Sequence, residues 1–109
     1  MQTPLLEVYF YKSANGVEPV RDWLRELSAT DKKTVGEDIK TVQYGWPLGM
    51  PLVRKMEARL WEVRIPLQNR IARILFTVQG NKMILLHGFI KKSQKTPKED
   101  LAIAIKRLK

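Results

Sequence analysis

The chain lacks cysteine altogether and has a single histidine, His87. Without cysteine there is no disulfide, no thiolate ligand for a metal and no cysteine nucleophile. A lone histidine argues against a histidine-based metal site, so we expect no metal and no other cofactor. The sequence also lacks an apolar run of about 18 residues and a basic, then apolar, leader at its start. These absences predict a cytoplasmic protein with no membrane partner.

Acidic residues are scarce in the second half of the chain. The net charge is +9 over 109 residues. Residues 1–49 carry six basic and seven acidic side chains, whereas residues 50–109 carry fourteen and four. One-sided positive charge is typical of a surface that binds a polyanion, with nucleic acid as the first candidate. A solubilising surface, an acidic protein partner or a membrane surface remain the alternatives. The length predicts one domain over residues 1–109.

Hydrophobic periodicity predicts the order of helices and strands. Strand-forming residues predict a first strand at 5–11, and helical spacing predicts two helices from Pro19 to Val42. Alternation then predicts strands at 60–65, 71–79 and 83–89, with a short one near 53–56 and a turn at Gly80-Asn81. A capping box, Thr96-Pro97-Lys98-Glu99, predicts a last helix. We therefore expect an α+β fold, with an antiparallel sheet of four to five strands, two N-terminal helices and a C-terminal helix packed on one face.

Strand alternation sorts the charged side chains from the apolar ones. Trp61, Val63 and Ile65 are expected to face the helices, so Arg64 faces away from them. The same argument places Arg73 on the open face, next to Arg64. A salt bridge of Glu62 with Arg73 is the structural alternative. In the last strand, alternation puts Met83, Leu85, His87 and Phe89 on one face.

Further cations flank these two arginines in the sequence. They are Arg54, Lys55 and Arg59 before the sheet, and Lys91, Lys92 and Lys95 after it. Guanidinium groups grip phosphate with paired hydrogen bonds, and lysines add point charge. A solvated loop is the alternative for Lys91 and Lys92, and a half-buried structural histidine is the alternative for His87. Core packing is favoured over base stacking for Tyr44 and Trp46.

Several stretches resemble the phage-derived HigB-like branch of the RelE/ParE toxin superfamily. They are Asp22-Trp23-Leu24, Gly45-Trp46-Pro47-Leu48, Leu60-Trp61-Glu62-Val63-Arg64, Arg70-Ile71-Ala72-Arg73-Ile74-Leu75-Phe76 and the segment from His87 to Pro97. The resemblance covers nearly the whole chain, and the His87–Pro97 segment is its most specific part.

The resemblance implies a toxin of a type II toxin-antitoxin system that cuts mRNA on the ribosome. In such cleavage the RNA 2′-hydroxyl attacks its adjacent phosphate, with no metal required. The implied catalytic residues are Arg64, Arg73, Lys91, Lys92 and His87. The implied residues for binding RNA or the ribosome are Arg54, Lys55, Arg59, Arg70 and Lys95, with Lys55 orienting the 2′-hydroxyl or contacting ribosomal RNA. The implied partner is a small antitoxin of the helix-turn-helix type.

The sequence departs from the superfamily in its proton-transfer residues. Some members use a C-terminal tyrosine, but Tyr9, Tyr11 and Tyr44 all lie in the first half. Others use several histidines, so His87 is the first candidate for the acid. Two alternatives stay open: an inhibitor of DNA gyrase of the ParE type, and a nucleic-acid-binding module without catalysis.

Overall fold

The computed structural model of the chain describes residues 3–91 and 95–109. Five strands and three helices follow one another in the predicted order. They are β1 (Glu7–Phe10), α1 (Pro19–Arg25), α2 (Ala29–Gly45), β2 (Val53–Glu57), β3 (Leu60–Leu67), β4 (Arg70–Gln79), β5 (Lys82–Lys91) and α3 (Lys98–Leu108).

Local sequence signals set several of these boundaries. Pro19 begins α1, where its missing N–H removes no helical hydrogen bond. The Ser28 hydroxyl caps α2 by accepting a hydrogen bond from the Asp31 backbone N–H at 3.1 Å. Asn69 and Gly80 adopt φ angles of 60° and 61° in the turns on either side of β4. Asparagine and glycine tolerate this left-handed conformation, so both turns can be tight.

The five strands form one sheet in the order β1-β5-β4-β3-β2. Neighbours from β2 to β5 are antiparallel, and β1 pairs with β5 in parallel. The sheet is therefore mixed, because β1 lies at the edge beside the last strand. The α+β class is confirmed, and the architecture is consistent with a RelE-like fold.

The helices cover both faces of the sheet, which differs from the expectation that all three share one face. Side chains from α1 and α2 pack in one hydrophobic cluster with Ile74, whereas α3 packs in a second cluster with Leu75. Ile74 and Leu75 are neighbours in β4 and so point to opposite faces. Buried leucines on the second face need an apolar cover, and α3 supplies it with Leu101, Ala104 and Ile105. We call this second surface the α3 face.

Edge-on contacts between aromatic rings and one close contact at a glycine determine the packing of the first cluster. The Trp46 ring meets Trp61 and Phe76 edge-on, at centroid distances of 5.1 and 5.8 Å, so the expected core packing of Trp46 is confirmed. A Cβ atom on Gly88 would lie 2.6 Å from the ring of Trp23 in α1. Only glycine therefore lets α1 approach β5 this closely.

The start of α3 corrects one prediction. Pro97, not Thr96, is the N-cap residue, and no side chain caps the helix. The Thr96 hydroxyl instead donates a hydrogen bond to Glu62, as described below. Among the described residues, no helix has the length and apolar character needed to cross a bilayer.

Candidate phosphate-binding site

Strand pairing brings Arg64 and Arg73 side by side. Arg64 of β3 lies directly opposite Arg73 of β4, and Arg54 of β2 lies opposite Glu62 of β3. Arg64 and Glu62 are two residues apart in one strand, so these four side chains project from the same face. That face is the α3 face, because Leu75, which lies opposite Glu62, also belongs to it.

A buried network of hydrogen bonds holds the two arginines. Glu62 accepts from Arg64 Nε at 3.1 Å through one carboxylate oxygen, and from the Thr96 hydroxyl at 2.6 Å through the other. Arg73 Nη1 donates to the Thr96 hydroxyl oxygen at 3.4 Å. The segment that precedes α3 thus ties β3 to β4 through Thr96. We call Glu62, Arg64, Arg73 and Thr96 the arginine site.

The arginine site carries more positive than negative charge. Glu62 and Arg73 are 0% exposed, and the side chain of Arg64 is 14% exposed. Burial lowers the pKa of Arg73 from the usual arginine value; the Glu62 carboxylate opposes this shift, while Arg64 and Arg54 add to it. An arginine stays protonated despite such a shift. Two guanidinium groups therefore face one carboxylate, an arrangement that favours an added anion such as phosphate.

His87 lies on the α3 face. The prediction that it shares this face with Met83, Leu85 and Phe89 is partly wrong. A bulge in β5 places Leu86 and His87 together opposite Leu75, because the pairing shifts from Phe76–Leu85 to Leu75–His87. The extra residue reverses the alternation. His87 and Phe89 consequently share the face of Arg73, whereas Met83 and Leu85 lie in the cluster on the other face.

An acid partner for His87 comes from α3. His87 Nε2 lies 2.7 Å from Asp100 Oδ1, and both side chains are largely buried. The His87 ring stacks on Phe89 with a centroid distance of 5.6 Å, and Phe89 lies opposite Arg73 in the sheet. His87 is therefore about 7 Å along the strand from the position facing Arg73. The contact with Asp100 fixes the orientation of the imidazole ring.

Three other predicted cations lie at different distances from the arginine site. Lys91 ends β5, opposite Ile71, and is exposed on the same face as Arg73. Lys95 is exposed and directly precedes Thr96, and Arg59 is exposed in the turn between β2 and β3. Lys92 lies outside the described residues.

Two of the predicted binding residues lie on the opposite face of the sheet. Lys55 pairs with Trp61, whose ring belongs to the first cluster, and its Nζ lies 5.9 Å from that ring. Arg70 Nη2 makes an ion pair with Asp31 of α2 at 2.9 Å. Lys55 is one position from Arg54 in β2, and Arg70 is three positions from Arg73 in β4, so each side chain points to the opposite face from that arginine. The sheet therefore separates them from the arginine site.

A match to a family model covers residues 22–109, and the model describes a phage-derived protein, Gp49-like (DUF891). The chain belongs to the Gp49-like family. This is a family of RelE/toxin-like proteins. No curated protein matches the chain in a sequence comparison.

The Gp49-like part of the chain contains every residue of the arginine site, together with His87 and Asp100. The match begins inside α1, so β1, the loop that follows it and the first residues of α1 precede the match. The arrangement can hold a phosphate group and offers an imidazole–carboxylate pair for proton transfer. Within residues 3–91 and 95–109, no three His, Asp or Glu side chains gather as a metal site would require.

Sequence reasoning assigned the wrong role to Thr96 and did not find Asp100. The sequence signal for Thr96, a threonine before a proline, is the same for a helix cap and for a hydrogen bond to a sheet residue. Asp100 lies 13 positions from His87. Its acidic character suits the first turn of any helix, so nothing in the sequence distinguishes it from an ordinary helix-start residue.

Proposed function

We propose that the chain is the toxin of a type II toxin-antitoxin system and that it cuts mRNA on the ribosome. The observation that carries this proposal is the pair of guanidinium groups, Arg64 and Arg73, which lie side by side and are held by Glu62 and Thr96. Membership of a toxin-like family supports the same conclusion.

The chemistry needs little more than positive charge and one proton relay. The 2′-hydroxyl oxygen forms a bond to the adjacent phosphorus, and the bond from phosphorus to the 5′-oxygen breaks. The products are a cyclic phosphate and a 5′-hydroxyl. Negative charge grows on the phosphate oxygens in the transition state, and a fixed hydrogen-bond donor aimed at such charge contributes about 10²- to 10³-fold in rate.

The two arginines differ in burial, and we assign them different roles for that reason. The side chain of Arg64 is 14% exposed and is fixed by Glu62, so it is the group that contacts the phosphate. Arg54 is exposed beside Glu62 and adds a second contact. Arg73 is fully buried against Thr96, so it acts as a positioning residue that also contributes charge.

His87 and Asp100 supply the proton transfer. The contact with Asp100 uses Nε2, so Nδ1 exchanges the proton with RNA. The proton of the 2′-hydroxyl leaves to solvent, and His87 gives a proton to the departing 5′-oxygen. Asp100 holds the imidazole ring in a fixed orientation, as carboxylates do beside catalytic histidines.

The remaining cations are assigned by their place on the sheet. Lys91 and Lys95 guide the mRNA beside the arginine site. Lys92 and Arg59 are assigned to the mRNA by their charge alone. Lys55 lies on the other face and is therefore assigned to ribosomal RNA rather than to the 2′-hydroxyl. Arg70 is engaged with Asp31 and is left out of the RNA surface.

A nuclease of this kind needs an inhibitor in the cell that makes it. We propose a small antitoxin with a helix-turn-helix domain, in keeping with the toxin-like family. Its binding must cover the arginine site or prevent entry into the ribosome. Co-expression with a neighbouring small gene should then restore growth, and the two proteins should co-purify.

Cleavage by the purified chain on translating ribosomes tests the proposal. Replacing Arg64 by alanine should slow mRNA cleavage by about 100-fold or more, since it removes one donor to the transition state. Ribosome binding should change much less, because many other cations contribute to it. Lys32→Ala, on the exposed side of α2, is the matched control and should leave both unchanged.

The same assay separates the alternatives. Equal losses of cleavage in the Arg64 and Lys32 variants would contradict the site. No cleavage, together with inhibition of DNA supercoiling by gyrase, would favour a ParE-like activity. Salt-sensitive RNA binding without cleavage or gyrase inhibition would favour a binding module.

A further inference from the structure

A cavity opens on the α3 face, at the other end of the sheet from the arginine site. Its volume is about 310 Å³, and residues from β1, β4, β5 and the end of α3 line it. The polar and aromatic lining comprises Tyr9, Tyr11, Lys12, Thr77, Lys82 and Arg107. Thr77 lies four residues along β4 from Arg73, about 13 Å away.

The hydrophobic core under α3 separates the cavity from the arginine site. Leu75 and Leu86 are buried there against Ala104, between the arginine site and this cavity. A ligand in the cavity therefore does not touch Arg64 or Arg73. The cavity is an independent feature, and nothing in the proposed cleavage uses it.

Two cations that line the cavity each lie over a tyrosine ring. Lys82 Nζ lies 5.4 Å from the centre of the Tyr9 ring, and the Arg107 guanidinium lies 5.4 Å from the centre of the Tyr11 ring. Arg107 also donates to the Leu86 carbonyl at 2.8 Å, which fixes its position. Tyr9 remains 43% exposed, so its ring has surface available for stacking.

The charge balance at the rim is positive. Lys12, Lys82 and Arg107 line the cavity, and none of the described residues that line it is acidic. Glu7 accepts a hydrogen bond from the Tyr9 hydroxyl at 3.1 Å, and this bond raises the pKa of Tyr9 above its ordinary value. Tyrosine is uncharged at physiological pH even without this shift, so the Tyr9 ring does not repel an anion.

A buried hydroxyl in the wall lacks a protein partner. Thr77 is 2% exposed, and its Oγ1 has no hydrogen-bond partner among the described residues. Buried polar groups are normally paired, so an unpaired one in the wall of a cavity indicates a ligand or a bound solvent molecule.

We propose that this cavity binds one nucleotide of a single-stranded RNA. Stacking on aromatic rings, combined with lysine and arginine contacts to the backbone, is how proteins hold single strands without reading sequence. A volume at the low end of the range for small-molecule sites suits one nucleotide rather than a folded partner. An acidic peptide would use the cations but has no need of two tyrosine rings.

Binding of an RNA that cannot be cleaved tests this proposal separately from the nuclease activity. The probe is a fluorescent uridine tetranucleotide with 2′-O-methyl groups, measured by anisotropy at fixed salt. Lys82→Glu should weaken binding about tenfold, and Tyr9→Ser by about fivefold or more, since stacking of one base is lost. Lys33→Glu on α2 is the matched charge reversal and should change binding less than about twofold.

A local readout shows which site the probe occupies. In a titration followed by NMR, the backbone amides of Gln79 and Ile84, which line the cavity, should shift with probe concentration. Thr77→Val should reduce those shifts without lowering the melting temperature, because it replaces an unpaired buried hydroxyl with a methyl group of similar size.

Three results would overturn the proposal. The first is an equal loss of binding in the Lys33 and Lys82 variants, which would mean diffuse charge attraction. The second is an absence of shifts at Gln79 and Ile84. The third is a polyglutamate peptide that binds more tightly than the RNA and depends on Lys82. None of these depends on whether the chain cleaves mRNA.

Discussion

Replacing the buried carboxylate of Glu62 should destabilise the protein strongly. Glu62→Gln keeps the shape of the side chain but removes the one negative charge that Arg64 and Arg73 share. Glu62 and Arg73 are 0% exposed, so water cannot solvate the arginine charge that loses its partner. Breaking a buried ion pair from one side costs about 3–5 kcal/mol, and we expect a loss near the lower end, about 3 kcal/mol. At about 4 °C for each kcal/mol, the melting temperature should fall by about 12 °C.

Urea unfolding followed by circular dichroism measures this loss, with Glu57→Gln on the exposed part of β2 as the control. The control should change stability by less than about 0.5 kcal/mol. If Glu62 balances the buried Arg73, the double variant Glu62→Gln/Arg73→Met should lose less than the sum of the two single variants. A loss below about 1 kcal/mol for Glu62→Gln, or strict additivity, would refute the reasoning.

Three further predictions follow from other parts of the molecule. Gly88→Ala should cost about 1–3 kcal/mol in a urea titration, since the new Cβ would meet the Trp23 ring at 2.6 Å; unchanged stability would contradict the close packing. Asp38→Asn should raise stability at pH 7 by up to about 0.5 kcal/mol, because burial raises the pKa of Asp38 and so disfavours its ionised form. That gain should vanish below pH 3.8, where Asp38 is protonated in both folded and unfolded chains. Asp100→Asn should lower the cleavage rate about as much as His87→Gln does, and additive effects of the two would argue against a joint role.

The order of the elements was predictable because each local signal agrees with the fold. The apolar alternation of β3 and β4, the turn at Gly80 and the spacing in α2 all lead to the observed elements. The placement of α3 was not predictable in the same way. An amphipathic helix needs an apolar partner, and either face of a sheet with leucines on both sides can provide one.

The candidate site was predictable where strands alternate without interruption. Arg64 and Arg73 could be paired because β3 and β4 are regular. The prediction failed for β5, where one extra residue at the bulge moves His87 and Phe89 to the other face. Strand parity also places Lys55 and Arg70 on the other face of the sheet from the two arginines. Their role in binding RNA or the ribosome stays a prediction.

Part of the resemblance to the toxin superfamily reflects packing rather than chemistry. Trp23 and Gly88 belong to two different motifs, and the structure brings them into contact. Trp46 and Trp61 likewise come from two motifs and meet edge-on in the core. Such residues identify the fold, whereas Arg64, His87 and their acidic partners carry the proposed chemistry.

Mapping of new RNA 5′ ends after brief induction tests the central claim most directly. The chain is compared in cells with the Arg64→Ala variant. A change at Arg73 is avoided because that side chain is fully buried and its loss would also destabilise the fold. New ends with 5′-hydroxyl groups, inside translated frames and absent from the variant, are the predicted result. Growth arrest without such ends, or the same ends in the Arg64 variant, would contradict the account.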